Sequence, residues 1–288
     1  GSSRSYYSAA PEHESLIGYN LLMDPIVAEN LNIEFPVYET KGRSLRHMLL
    51  FNQLRSLPTR FKGSQSVGGS VGESHEGVVV IKALHDINLR IKDGDRIGLI
   101  GHNGCGKTTL LRALAGIYEP TSGTLTSHGR IMPLFNLTEG MSPDATGREL
   151  IDIRCVLLGL KPDEVTAAKP DIIAFCQLGD YLDMPVRTYS TGMLVRLSFA
   201  IATAFNADIL LFDELIGAGD ASFIDQAHAR LEKFVEQASV MVVATHSFEI
   251  IQKWCNRAIL LEHGHMLIDG AVEDVFDMYR ERVRTYGA

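Results

Sequence analysis

Residues 101 to 109 read Gly-His-Asn-Gly-Cys-Gly-Lys-Thr-Thr, a G-x-x-x-x-G-K-[ST] loop. It leaves the apolar segment Arg96-Ile-Gly-Leu-Ile100 and enters the helix-forming run Leu110-Leu-Arg-Ala-Leu-Ala115. Gly101, Gly104 and Gly106 let the backbone curl until the amides from Asn103 to Thr109, that of Cys105 included, point at one anion. The helix that follows adds its positive end. Lys107 supplies a full charge for the outer phosphates, and the Thr108 hydroxyl is placed to ligate Mg2+. The loop predicts binding of a nucleoside triphosphate. By itself it leaves kinase, GTPase, helicase and ATPase chemistry open.

Two further strand ends narrow the choice. Ile209-Leu-Leu-Phe-Asp-Glu214 is a short apolar strand closing on two acids, which suits Asp213 for holding magnesium and Glu214 for polarising an attacking water. A strand simply ending in solvent with ordinary charges is the plain alternative. Thr245-His246 follows a second apolar strand and places an imidazole at the carboxyl edge of the same sheet, where open α/β folds bind ligands. Tyr189-Ser-Thr-Gly-Met193 opens a long helix, so Ser190 and Gly192 offer a second anion site made of a hydroxyl, free amides and the helix dipole. Two phosphate-binding ends on one chain are economically explained by a head-to-tail dimer.

These groups need a scaffold, and the pattern from Val78 onward supplies one. Strand signals alternate with helical stretches, which predicts an α/β core with a substantially parallel sheet. Asn30 to Tyr38 alternates like a half-buried strand, Gly147 to Leu158 and Thr191 to Phe205 read as helices of an inserted lobe over 139–205, and the segments around His263-Gly264 read as a hairpin. A terminal helix is expected from about Ala271. Residues 1–29 are weakly patterned and read as an N-terminal extension. Residues 41–72 carry Lys41, Arg43, Arg46, Arg55, Arg60 and Lys62 without an acid and end in a Gly/Ser-rich stretch; they predict a basic amphipathic helix on a flexible insert.

Composition sets outer limits. The 288 residues, 45% hydrophobic and 22% charged, fit an ordinary globular protein with a large core. No apolar run reaches the ~20 residues of a membrane span, so membrane association is expected to be peripheral. The four cysteines are scattered without a C-x-x-C pair, which argues against a disulfide framework or zinc site and fits a cytosolic location. The net charge of −8 speaks against a nucleic-acid partner.

In order and approximate spacing, the loop at 101–109, the Tyr189–Met193 segment, Asp213-Glu214, Gly217-Ala-Gly-Asp220 and His246 resemble an ABC-transporter nucleotide-binding domain over residues 30–275. The fold this implies is a P-loop NTPase core with an antiparallel β subdomain and an inserted helical lobe, followed by a C-terminal helix over 276–288. The resemblance implies that Ser190, Thr191, Gly192 and Met193 clamp the γ-phosphate held by a partner copy, that Asp220 lies in the loop between the two sites, and that His246 senses that phosphate. It also implies an adenine-stacking aromatic, for which Phe35 is preferred to Tyr38, and a magnesium-sensing residue, assigned to Asn136. Thr191 and Met193 depart from the usual Leu-Ser-Gly-Gly-Gln, and Leu215 replaces a frequent proline.

Asp183 to Leu197 and Asp213 to Asp220 look closest to the ATPase subunits of bacterial exporters of O-antigen, capsule, teichoic acid and galactan. The expectation is an ATP- and Mg2+-dependent ATPase, a homodimer beneath two integral membrane subunits at the cytoplasmic face of the inner membrane, moving a lipid-linked polysaccharide. An ATPase subunit for a lipid, drug or import substrate is the main alternative, and a soluble ABC-type ATPase a further one. Arg43, Arg46 and Arg55 are expected to face lipid phosphate or the membrane subunit, and the segment from Glu139 to Glu149 to receive the coupling helices of the membrane partner. The short stretch beyond the cassette predicts no carbohydrate-binding extension.

Overall fold

The computed structural model describes residues 24–36, 70–73, 79–135, 137–213 and 221–286. Residues 41–69 of the basic segment, most of the N-terminal extension, and Tyr38, Asn136, Glu214, Leu215, Gly217 and Asp220 lie outside the described residues; the last residues of the expected flexible insert, from Ser70, are instead a hydrogen-bonded strand. Two sheets organise the rest. The first contains β1 (Ile26–Pro36), β2 (Ser70–Glu73), β3 (Val79–Ile91) and β5 (Ser122–Ser127) in the antiparallel order β2-β3-β1-β5. The second contains β4 (Arg96–Ile100), β6 (Ile131–Pro133), β7 (Ile209–Asp213), β8 (Val240–Ala244), β9 (Arg257–Glu262) and β10 (His265–Gly270), in the order β10-β9-β4-β8-β7-β6. It is parallel except at its β9–β10 hairpin.

Its central strands are continuous apolar runs because both faces are covered: all five residues of β8 are buried, as are Ile97 to Ile100 of β4. Helix α1 (Lys107–Leu114) buries Leu110, Leu111, Ala113 and Leu114 in one cluster with β1 and β3 of the first sheet and with β4, β7, β8 and β9 of the second. A helix wedged in this way is fixed at both faces. Its N-terminus, the phosphate loop, is fixed with it.

The lobe helices are α2 (Gly147–Leu157), α3 (Pro162–Cys176) and α4 (Thr191–Ala202), which share a core containing Leu150, Ile172, Leu197 and Ile201. Helix α2 starts in a capping box, with the Glu149 amide donating to the Thr146 hydroxyl at 3.3 Å and the Thr146 amide to the Glu149 carboxylate at 2.8 Å. Helix α4 stops at Ala202, short of the expected Phe205. The Thr203 hydroxyl donates to the Phe199 carbonyl at 2.7 Å and accepts from Arg230 Nε at 2.7 Å, which closes the last turn. Arg230 belongs to α5 (Ala221–Gln237), also pairs with Asp171, and lies 4.3 Å from the centre of the Phe175 ring, tying the lobe to the core. Helices α6 (Phe248–Trp254) and α7 (Val272–Tyr286) cover the β9 side, where Ile251, Val275 and Phe276 are buried together.

Two expected boundaries move. The first strand begins at Ile26, not Asn30, because Ile26 and Ala28 are buried and paired with β3 and β5. Register shifts after Ala28 and Leu31, with Asn30 at φ 48°, break the alternation that marks a strand in the sequence. The terminal helix α7 starts at Val272 and runs through the expected domain boundary at 275. No helix among the described residues is long and apolar enough to cross a membrane.

Candidate functional site

Strand order assembles the site. β8 lies between β4 and β7, so the loop leaving β4, the acid ending β7 and the residues after β8 emerge side by side at the carboxyl edge of the parallel sheet. A cavity of about 570 Å³ opens there, lined by the phosphate loop, Asp213, Thr245 and His246. Phe35 and Ile81 of the first sheet and Phe135 after β6 complete its wall.

The loop is wound on left-handed glycines, with Gly104 at φ 78° and Gly106 at φ 113°. A side chain on Gly106 would stand 3.0 Å from the Ala83 carbonyl. Lys107 is only 8% exposed; its ammonium donates to the carbonyls of Gly101 at 2.7 Å and His102 at 3.2 Å. The charge is therefore held inside the loop, at the position a phosphate would draw it from. Thr108 donates from its hydroxyl to Asp213 Oδ2 at 2.6 Å, so the two expected metal-binding groups touch across 105 residues of sequence. Thr109, Asn103 and the exposed His246 line the same cavity. Gly101 and Cys105 instead support the loop from behind. Burial pushes the Cys105 thiol up against the opposing pull of Lys107, so it stays neutral.

Phe35 lines the cavity and Tyr38 lies outside the described residues. Ser190 caps α4, its hydroxyl accepting from the Met193 amide at 3.2 Å, and Thr191, Gly192 and Met193 form that helix's first turn. None of these four lines the cavity of its own chain. Among the described residues no group of three or more His, Cys, Asp and Glu is arranged to hold a metal.

Sequence reasoning overlooked two parts. Phe135 belongs to the wall, and its neighbour Asn136, singled out as a metal-sensing residue, was the available signal. The turn His263-Gly264 of the expected hairpin also braces the phosphate loop. Gly264 donates to the Cys105 carbonyl at 2.9 Å and accepts from the His85 amide at 2.8 Å. The rings on either side engage as well, His263 with His102 at 4.9 Å and His265 stacked on His85 at 4.6 Å. Burial first, then His265 and Lys82, lower the His85 pKa, which favours a neutral stack. Gly264 has φ 82°, and a Cβ there would meet the Ala83 carbonyl at 2.6 Å. Gly264→Ala is therefore expected to destabilise the chain by about 1–3 kcal/mol in urea unfolding, with ATP affinity falling alongside.

A phosphate loop wedged between two sheets, an acid at the next strand but one and a helical lobe opening on Ser190 define an ATPase cassette of the ABC type. The chain belongs to the ABC-transporter ATP-binding family: the family model described as ABC transporter matches residues 84–217, and the relatives below match nearly end to end. It is an ATPase of that family. It is 40% identical over 242 residues to the O-antigen export system ATP-binding protein RfbE of Yersinia enterocolitica, covering 84% of this chain and 96% of the relative. To RfbB of Klebsiella pneumoniae, another O-antigen export ATP-binding protein, it is 31% identical over 260 residues, covering 90% and 99%. The solved ATP-binding subunit of an ABC transporter shares the fold, with a TM-score of 0.61 at 17% identity over 88% of this chain and 92% of that one.

Proposed function

We propose that this chain is the ATP-hydrolysing subunit of an exporter that moves a lipid-linked polysaccharide of the O-antigen class, working as a homodimer beneath two membrane subunits. The observation that carries the dimer is Gly192. It lies in the first turn of α4, outside the left-handed region that would call for a glycine. Within the chain a Cβ there would meet nothing closer than Ser190 Oγ at 3.9 Å. The bare backbone is thus kept for something outside the chain, and the triphosphate of a facing copy has the right charge for a helix N-terminus.

ATP binding begins with an exchange at Lys107. Its ammonium leaves the Gly101 and His102 carbonyls for the outer phosphates, while the loop amides take the inner ones. The hydroxyl of Thr108 and the carboxylate of Asp213 are hard oxygen donors already in contact, a set that fits Mg2+, with Asn136 as the further ligand the resemblance implies. When bound, the ion would neutralise charge on the outer phosphates. Glu214, next after Asp213, polarises the attacking water, and His246, which lines the same cavity, reads the γ-phosphate. Ser190 and Gly192 of the second copy close the site.

Helix α2 leaves Ile153, Val156 and Leu157 at 44%, 64% and 72% exposure, an apolar face that supports docking of the membrane subunit on the lobe. Because ATP is supplied from the cytoplasm, the chain works at that face of the membrane. The basic segment with Arg43, Arg46 and Arg55 is assigned to lipid phosphate or the membrane subunit.

Mixed dimers test the shared site. Lys107→Ala and Gly192→Arg homodimers are each expected to be inactive. A dimer of one with the other retains one intact site and should recover about half of wild-type ATPase activity if the two sites act independently. A mixed dimer as inactive as its parents would refute the arrangement. For the cargo, a host lacking the chain should keep completed lipid-linked polysaccharide on the inner leaflet; unchanged surface polysaccharide would overturn the assignment.

A further inference from the structure

The base-binding wall has a second layer. Phe35, near the end of β1, lines the cavity beside Ile81, its partner on β3. Tyr118 does not line the cavity but meets the Phe35 ring edge-to-face, with centroids 5.1 Å apart and planes at 73°. Tyr118 is anchored in turn. Arg112 Nη1 donates to the Tyr118 hydroxyl at 2.9 Å, and the Ile117 and Tyr118 amides both donate to the Arg112 carbonyl, at 2.9 and 3.3 Å. Arg112 stands in the last turn of α1, the helix that begins at the phosphate loop.

We propose that Tyr118 is the positioning residue that holds Phe35 in its base-stacking orientation, and that Arg112 fixes Tyr118 to the phosphate-binding helix. The inference rests on the reading of Phe35 as the stacking residue. A lone phenylalanine at a strand end samples several rotamers, and a base binding to it must freeze one. An edge-on tyrosine favours one orientation before the nucleotide arrives, so that ordering is not charged against affinity. The same chain of contacts sets the distance between the base wall and the phosphates, because Arg112 and Lys107 belong to one rigid helix. Only ligands carrying a base should feel Tyr118.

The test is calorimetric titration of the full chain with ATP and with inorganic tripolyphosphate. Phe35→Ala should weaken ATP about 10-fold and leave tripolyphosphate within about 2-fold, as loss of one stacking face predicts. Tyr118→Leu should weaken ATP about 5-fold, again without touching tripolyphosphate, and Tyr118→Phe, which keeps the ring and loses only the anchor, about 2-fold. Added to Phe35→Ala, Tyr118→Leu should cost nothing more, since it acts only through that ring. If Phe35→Ala weakens ATP and neither Tyr118 variant does, positioning is refuted. Equal weakening of ATP and tripolyphosphate by Tyr118→Leu would mean general damage to the fold and refute it too. A Phe35→Ala protein that binds ATP normally would remove the stacking reading beneath it.

Discussion

Glu214→Gln is expected to bind ATP with nearly native affinity while hydrolysing it about 10²–10⁴-fold more slowly, the usual contribution of a general base. Glu214 directly follows Asp213 in the sequence, and Asp213 ends β7 in contact with the Thr108 hydroxyl. The amide keeps size and hydrogen bonding and loses the basicity needed to draw a proton from water. Binding is separate from that step: the loop amides, Lys107 and the Phe35 wall are untouched. With ATP present, the variant should elute as a dimer in size-exclusion chromatography, because closure no longer ends in hydrolysis. Normal turnover would show that another group activates the water.

Lys107→Ala is expected to lower ATP affinity by about 100-fold or more, since two charge-assisted contacts of about 1.5–3 kcal/mol each are lost at the phosphates. The folded loop adds to the loss. Lys107 is nearly buried and bridges the Gly101 and His102 carbonyls, so its removal leaves both acceptors without their ammonium donor and lets the loop relax away from its anion-binding shape. Calorimetry with ATP is the direct measurement. Affinity within about 3-fold of wild type would mean that the loop amides alone hold the phosphates. The melting temperature should fall only slightly, because the surrounding helix is packed through Leu110, Leu111 and Leu114.

Much of the nucleotide end was legible because its determinants are local. Glycine at left-handed positions, a lysine and a hydroxyl at fixed offsets, and a helix behind them are consecutive in the chain. Strands β4, β7 and β8 were legible too, as apolar runs covered on both faces. The start of β1 was not: two register shifts and a left-handed Asn30 hide its periodicity, and the buried Ile26 and Ala28 acquire meaning only from partners on β3 and β5. The end of α4 escaped for a similar reason, since Thr203 is claimed by Arg230, 27 residues later.

By itself the sequence determined the candidates: a loop whose glycines, lysine and hydroxyl suit a triphosphate, an acid closing an apolar strand, and a helix tip whose free amides suit a second anion. Those are properties of residue type at short spacing, and a loop carries them wherever it is placed. Tertiary structure alone decided what supports that chemistry. The order β4-β8-β7 brings Thr108 to Asp213, the hairpin turn at Gly264 presses on the loop from behind, and Arg112 reaches Phe35 through Tyr118. Most of these contacts join residues dozens of positions apart, and all depend on how one helix is wedged between two sheets, a geometry fixed by packing that no short window of sequence contains.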